Sequence, residues 1–410
     1  MKVVLSIGCG RLHFISSAKW LTKAGVWIRL VCGWVPRGNG FWAKIFPHRT
    51  IDIAGVEVCA ITSVDFVDQG LRLVNRKLFG GRLHGAVSSL GWRFFGWKSR
   101  KYLKGAEIFH CRSGAGQGGA IVRAKELGMK VVVDHSIAHP AFMEKQLREE
   151  YEKNGAVFDL GLDSKFWRQI VKDCEDADVV MVNSFFVRDT FVEQGFDEKK
   201  IRVVCLGVRE DFFGLRVRSA GGDDRSELRE LRLLFTGGFG FRKGAEYILE
   251  ALKILKTRGV AFRMDIVGNY GVARNLIARY GSDLNVAFHG HKPQDELKEY
   301  LTKADVYVFP SLAEGCAQSG MEAMAAGDCV IGTKESGLPI VDGENGYLVP
   351  GKDAKAIADR IEWLGEHRGE IDRVGANAAM LIAENCTWEK YAENVKKLYD
   401  ELLWGKEGPR

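Results

Sequence analysis

Pro310-Ser311-Leu312-Ala313-Glu314-Gly315-Cys316-Ala317-Gln318-Ser319-Gly320-Met321-Glu322-Ala323-Met324-Ala325-Ala326-Gly327 carries the pattern from which the architecture follows. An apolar strand over residues 306–310 runs into a loop of small residues. A helix then begins near Gly320, with Glu322 in its first turns. Strand, loop and helix in that order form half of a parallel strand–helix–strand unit. The free N–H groups of the helix start, near residues 319–321, make an anion site that suits a diphosphate. Glu322 sits beside that end, where a carboxylate accepts both hydroxyls of a ribose. Glu314, eight residues earlier, lies in the loop and meets the group on the far side of the phosphates. Either Glu alone also reads as a helix-end carboxylate or a solvated loop acid; the whole constellation points to a site.

A second element lies upstream: Thr236-Gly237-Gly238-Phe239-Gly240-Phe241-Arg242-Lys243-Gly244, a glycine-rich loop between a strand and its helix. Gly237 and Gly238 let the backbone approach phosphates. Arg242 and Lys243 add the cations needed where negative charge builds on a leaving diphosphate. The spacing is not that of a Walker A loop, and no Ser or Thr follows Lys243.

Outward from these two loops the pattern repeats. Apolar strands over residues 232–236, 263–267, 286–289, 306–310 and 329–333 alternate with helical stretches over 245–256, 272–280 and 294–302. The first half alternates likewise, with strands at 3–7, 27–32, 56–61, 107–110, 131–134, 179–183 and 201–205. The expectation is an α/β protein of two doubly wound, Rossmann-like domains, residues 1–207 and 231–387. A polar, glycine-bearing linker over 208–230 joins them, and a last helix begins at Trp388 in the segment 388–410. A chain of 410 residues also exceeds what one ordinary core holds. Open parallel sheets bind ligands at their strands' carboxyl ends, so the two domains share a cleft. Gly8-Cys9-Gly10 ends the first strand there, making Gly8 and Gly10 candidates to approach the phosphates of a ligand in that cleft.

Composition narrows the class. With 46% hydrophobic and 27% charged residues the chain reads as globular. It has no run long and apolar enough to span a membrane, and its N-terminus reads as a buried strand. Nine scattered cysteines without a CxxC pair read as reduced thiols in a cytoplasmic protein. The net charge of +6 is local: residues 72–104 hold nine Lys/Arg, and no acid lies between Asp68 and Glu107. Trp92, Phe94, Phe95, Trp97 and Tyr102 interleave with those cations, as do Phe79 and Arg93. That mixture fits peripheral contact with an anionic membrane or a solvated basic helix face with a few core aromatics; it also occurs on nucleic-acid surfaces, but no nucleic-acid partner is expected.

Taken together, these residues resemble glycosyltransferase family 4 over residues 178–403. Glu314…Glu322 matches its Glu-x7-Glu motif. Ala177-Asp178-Val179-Val180-Met181-Val182-Asn183-Ser184, Asp342-Gly343-Glu344-Asn345-Gly346-Tyr347-Leu348-Val349-Pro350 and Thr387-Trp388-Glu389-Lys390-Tyr391 match its other landmarks. The resemblance implies the GT-B fold, with the last helix returning to the first domain. It also implies retaining transfer of a hexose-type sugar from a nucleotide-sugar donor to a glycan or lipid-linked acceptor, without metal or cofactor. Glu314 and the backbone around Cys316, Ala317 and Gln318 would hold the sugar, Ser319 and Glu322 the nucleotide, and Lys243 with Arg242 the leaving phosphate. His135 would lie beside the transferred sugar, with His139 as its alternate. Two positions depart from the family: Gly238 stands where an Arg is frequent, and Gly207-Val208-Arg209 replaces Gly-Val-Asp.

Two motifs pull elsewhere. Gly114-Ala115-Gly116-Gln117-Gly118-Gly119, with Asp134 twenty residues after Gly114, fits the dinucleotide fingerprint and supports an NAD-dependent oxidoreductase as the alternative. A helix packed close to its strand through small residues explains it as well. Asp176-Ala177-Asp178 is a DxD, but it precedes its apolar strand instead of following one, and reads as a helix end. A third alternative is a sugar-nucleotide-binding protein without turnover.

Overall fold

The computed structural model describes residues 1–10, 13–36, 50–51, 53–79, 83–216, 230–280 and 284–405. The Ser219–Asp224 part of the expected linker and the last five residues of the terminal segment lie outside them.

The first sheet holds β1 (Lys2–Ser6), β2 (Trp27–Cys32), β3 (Val56–Ala60), β4 (Ile108–Arg112), β5 (Lys130–His135), β6 (Val179–Val182) and β7 (Ile201–Val203). Their order is β3-β2-β1-β4-β5-β6-β7, with every pairing parallel. Val3, Val4 and Leu5 are all buried, as a strand covered on both faces requires. The helices are α1 (Phe14–Lys23), α2 (Thr62–Phe79), α3 (His84–Ser99), α4 (Ala120–Glu126), α5 (Pro140–Glu152), α6 (Lys165–Asp176) and α7 (Phe185–Val192).

The second sheet holds β8 (Leu231–Thr236), β9 (Phe262–Val267), β10 (Val286–Gly290), β11 (Val306–Phe309), β12 (Cys329–Gly332) and β13 (Tyr347–Leu348). It is also parallel, in the order β10-β9-β8-β11-β12-β13. Its helices are α8 (Ala245–Thr257), α9 (Arg274–Tyr280), α10 (Gln294–Lys303), α11 (Gln318–Ala326), α12 (Ala354–Glu366) and α13 (Arg368–Asn385). Strand order reverses between β1 and β4 and again between β8 and β11, and these are the two crevices where such sheets take ligands. The two-residue β13 has no counterpart in the sequence reading, because its surroundings are turn residues.

The last helix, α14 (Trp388–Trp404), starts at Thr387, whose side chain accepts the Lys390 N–H. It returns to the first domain as expected. Tyr391 and Tyr399 are buried against α1 and β4, where Ser17 Oγ donates to Tyr391 OH at 2.9 Å and His110 Nδ1 lies 2.5 Å from Tyr399 OH. Both crossings between the domains meet at Val208, which bridges to Thr387 and donates its N–H to Cys386 O. The structure is thus the two-sheet GT-B architecture.

The aromatics of the basic segment divide. Trp92 and Phe95 are core residues of α3 and do not face solvent; Trp97 is exposed. The aromatics interleaved with these cations thus do not all lie at the surface. α3 buries one side against β4, α6 and the 114–119 turn, and that side takes Trp92 and Phe95.

Candidate active site in the interdomain cleft

The site grows from the carboxyl ends of β8 and β11. Beyond β8, Gly237 adopts φ +115°, a left-handed conformation that glycine takes without strain. A Cβ there would stand 3.1 Å from Lys243 Nζ. Phe241–Lys243 form a 3-10 turn that aims both cations back toward the loop after β11. Arg242 Nη1 lies 2.6 Å from Glu314 Oε1 and donates to Ala313 O at 2.8 Å. Lys243 Nζ lies 3.6 Å from the same carboxylate oxygen and 4.9 Å from the Phe309 ring centroid. Burial lowers the Lys243 pKa, with Glu314 opposing that shift and Arg242 adding to it. Arg242 is thus held by its partners, and Lys243 is the cation left to meet an incoming anion. At Gly238, where the family frequently has an Arg, an added Cβ would meet only Asn269 O, at 4.0 Å.

α11 points its N-terminus at this pair. Its first-turn N–H groups, from Gln318 to Gly320, have no partners within the helix. Ser319 Oγ donates to Thr236 O at 3.2 Å, which ties the helix start to β8. Ala317 donates its own N–H to Ser336 O, so this group shapes the loop and is not free for a sugar. Gln318 Nε2 donates to Gly207 O at 3.3 Å across the domain junction. Glu322 is buried on α11, and burial pushes its carboxyl up to about 7. Arg209 opposes this shift and Asp211 reinforces it. The residue that departs from the family's Gly-Val-Asp, paired with Asp211, thus lies near enough to the expected ribose carboxylate to favour its ionised form, a relation that spacing in the chain does not reveal.

The first domain closes over this loop. Ala138 N donates to Glu314 O at 3.0 Å, and Ser184 Oγ donates to Gly315 O at 2.5 Å. Gly315 must be glycine here, since a Cβ would stand 2.0 Å from Ser136 O. The 135–138 turn and the Glu314 loop are therefore in contact. His135, the last residue of β5, is buried with Nδ1 3.0 Å from Ser113 Oγ and with no partner for Nε2. Burial, and then the neighbouring His139, lower its pKa to about 4, so the ring is neutral near pH 7. His139 caps α5 by accepting the Ala141 N–H, and burial brings it down to about 4 as well. Asn183 Oδ1 at the end of β6 is a further buried atom without a partner. Sequence reasoning did not single out Ser113 or Asn183; only their places at strand ends mark them.

Gly8 and Gly10, at the other crevice, make room for the Trp92 ring and the Arg112 guanidinium. The dinucleotide reading fails on geometry. Asp173 of α6 accepts the N–H groups of Gly114 and Gly116 at 2.7 and 2.8 Å, and Gln117 Nε2 at 2.7 Å. The donors a pyrophosphate would need are spent. The Asp134 carboxylate is also engaged, by His13 Nε2 at 2.7 Å and Ser136 Oγ at 2.9 Å. In the DxD, Asp178 accepts the Val131 N–H and Asp176 pairs with Lys172, as a helix end would. Among the described residues no three His, Cys, Asp or Glu side chains gather where they could hold a metal. A cavity of about 750 Å³ lies away from the site, lined by Arg232, Asp265, His289 and Tyr300 among others.

Residues 223–381 match the family described as glycosyl transferases group 1. That match spans most of the second domain. Glu314, Glu322 and the cationic loop all fall inside the group 1 region. The chain is 35% identical over 195 residues to the amylovoran biosynthesis glycosyltransferase AmsK of Erwinia amylovora, which is 45% of this chain and 46% of that one. It is 32% identical over 249 residues to a D-inositol 3-phosphate glycosyltransferase of Corynebacterium diphtheriae, 55% and 57% of the two chains. The chain thus matches about half the length of these curated relatives. In fold, it resembles a glycosyltransferase from Rickettsia africae with TM-score 0.65 at 17% identity, covering 98% and 99% of the two chains. Anabaena HepE in complex with UDP and glucose gives TM-score 0.62 at 15% identity, covering 97% and 99%. The resemblance to family 4 and the GT-B fold are borne out.

Proposed function

We propose that the protein is a retaining glycosyltransferase that moves a hexose-type sugar from a nucleotide-sugar donor to a glycan or lipid-linked acceptor. One observation carries this reading: Lys243, Glu314 and the α11 N-terminus converge at the β8/β11 crevice, under a first-domain turn bearing an unpartnered buried His135 nitrogen. A buried polar atom left unpaired costs about 1–3 kcal/mol, which a bound sugar hydroxyl would recover. Glycosyltransferases named for glycan biosynthesis among the relatives, and a UDP complex among the similar structures, support the substrate class.

The diphosphate lies across the N–H groups of Ser319 and Gly320, and the Glu322 carboxylate accepts the ribose hydroxyls. Glu314, held by Arg242, and the backbone near Cys316 and Gln318 take the sugar, with His135 at one hydroxyl. The bond from the anomeric carbon to the diphosphate breaks, and Lys243 stabilises the charge left on the phosphate. The acceptor oxygen then bonds to the anomeric carbon on the same face, and its proton passes to the leaving phosphate oxygen. Charge is balanced by Lys243 and Arg242, and the reaction is metal-independent in this reading. Catalysis takes place on the cytoplasmic face of a membrane where the acceptor is lipid-linked.

Thermal melting with UDP, GDP, ADP and NAD tests the proposal. Stabilisation by one nucleoside diphosphate, with slow release of that diphosphate from its sugar donor, is expected. Stabilisation without any turnover leaves a binding protein, and stabilisation by NAD alone overturns the reading.

A further inference from the structure

α2 and α3 form an antiparallel hairpin between β3 and β4. They meet through Asp68 beside Gly91, Arg72 beside His84, and Asn75, which accepts the Leu83 N–H. Each helix then keeps an apolar stripe turned to solvent. On α2 it comprises Phe66, Val67, Leu73, Val74 and Leu78, with Phe66 and Leu78 both 73% exposed. At 100° per residue these positions span about 140° of the helix, a broad face that adjoins the buried Val64 and Asn75. Leu83, Leu90 and Trp97, spaced seven apart, form the stripe beside and along α3, all exposed. Large apolar side chains are normally scattered singly over a surface; two parallel stripes on one hairpin mark a contact site.

Its charge decides what the site contacts. The stripe on α3 ends at Trp97, on a cavity of about 470 Å³ otherwise lined by Lys98, Arg100, Lys101, Lys104 and Arg123. Lys98 Nζ lies 4.6 Å from the Trp97 ring centroid, and the Arg100 guanidinium 5.8 Å from it. Arg123 pairs with Glu126, whereas among the described residues Lys98, Arg100, Lys101 and Lys104 have no carboxylate partner. No acid occurs between Asp68 and Glu107. An apolar face bordered by unpaired cations and an exposed Trp matches the layering of an anionic bilayer, with acyl chains below and phosphates at the boundary.

We propose that the α2–α3 hairpin docks the protein on an anionic lipid bilayer, with the Phe66–Leu78 and Leu83–Trp97 stripes among the acyl chains and the Trp97–Lys104 cavity on lipid phosphates. The inner face of α3 gives the docking a purpose. Trp92 lies against Gly8 and Gly114, at the carboxyl ends of β1 and β4, and its ring stacks on Arg112 with 4.9 Å to the guanidinium carbon. The same helix therefore faces the bilayer on one side and the first domain's crevice on the other. This purpose rests on the transferase reading above; the docking itself does not.

Co-sedimentation of the full chain with phosphatidylglycerol-rich and phosphatidylcholine vesicles tests it. Binding to the anionic vesicles alone, falling with salt, is expected. Each cation in contact strengthens partitioning about fivefold, so Lys98→Glu with Lys101→Glu should abolish it. Phe66→Ser with Leu78→Ser should weaken it at least about tenfold at constant charge. Both pairs are at the surface, so the melting temperature should hold, and stabilisation by a nucleoside diphosphate should persist in both; loss of that stabilisation in the parent would indict the transferase reading, not the docking. A parent that stays in the supernatant at low salt overturns the proposal. So does a parent that is dimeric in sedimentation velocity and monomeric once Phe66 and Leu78 are changed, since the stripe would then join two copies.

Discussion

Glu314 Oε1 stands 2.6 Å from Arg242 Nη1, so the carboxylate expected to meet the sugar also fixes the loop expected to meet the phosphate. One ion pair thus couples the two halves of the β8/β11 crevice. Because Arg242 also donates to Ala313 O, its guanidinium is oriented from two sides. Lys243, 3.6 Å from the same oxygen, shares that field without being immobilised by it.

Lys243→Ala should therefore lower turnover by about a hundredfold or more, with a smaller effect on KM, because its charge matters most as the phosphate leaves. Arg242→Ala should affect both, since it disorders Glu314. Steady-state release of the nucleoside diphosphate measures this. Equal turnover in parent and Lys243→Ala would remove the lysine from the chemistry.

Much of the fold was legible in the sequence because buried parallel strands such as Val3-Val4-Leu5 and Val179-Val180-Met181-Val182 are continuous apolar runs between turns. Strand ends were placed within a residue or two for the same reason. What sequence could not supply was contact between distant segments. Trp92 and Trp97 are five positions apart on one helix, yet one packs against Gly8 and the other faces solvent. Arg209 reads as a departure in a motif, and only the fold brings it near Glu322. The GxGxxG was misleading because its meaning depends on where its N–H groups point, and Asp173 lies 59 residues beyond Gly114.

Asp173→Ala should destabilise the protein by about 3 kcal/mol or more, because two buried N–H groups lose their acceptor at about 1–3 kcal/mol each. Burial pushes the Asp173 carboxyl up to about 7 against the pull of its three donors, so the carboxylate is held in place at an appreciable cost. Denaturant unfolding followed by fluorescence measures the loss. A change below about 1 kcal/mol would mean that the turn finds other partners.

Gly315→Ala tests whether the closed arrangement is the working one. The added Cβ meets Ser136 O, a backbone atom that cannot step aside, so the domains must part locally. Displacing the Glu314 loop from His135 by about an ångström should cost on the order of a hundredfold in turnover. Folding of each domain is untouched, so melting should shift little while the radius of gyration from small-angle scattering rises. Full activity in this variant would show that the contact plays no part in turnover.

Glu322 gives the sharpest pH signature. Its carboxyl is raised to about 7 from an ordinary 4.5, chiefly by burial. A carboxyl whose folded pKa lies above its unfolded value binds protons more tightly in the folded state. The ligand-free protein is therefore most favoured below pH 4.5 as far as this group is concerned, and loses that contribution as pH rises toward 7. The full loss is about 3 kcal/mol. Glu322→Gln keeps the shape and cannot ionise, so its melting temperature should match the parent near about pH 4 and exceed it near about pH 8. Asp173 adds a slope of the same sign to both proteins, and the difference between them isolates Glu322. Affinity should move the opposite way. At about pH 8 the ionised carboxylate is the stronger acceptor for ribose hydroxyls, so the variant should lose roughly 1.5–3 kcal/mol of nucleoside diphosphate binding by calorimetry. A stability difference that ignores pH would show that Glu322 does not titrate in this window, and an unchanged affinity would place the ribose elsewhere.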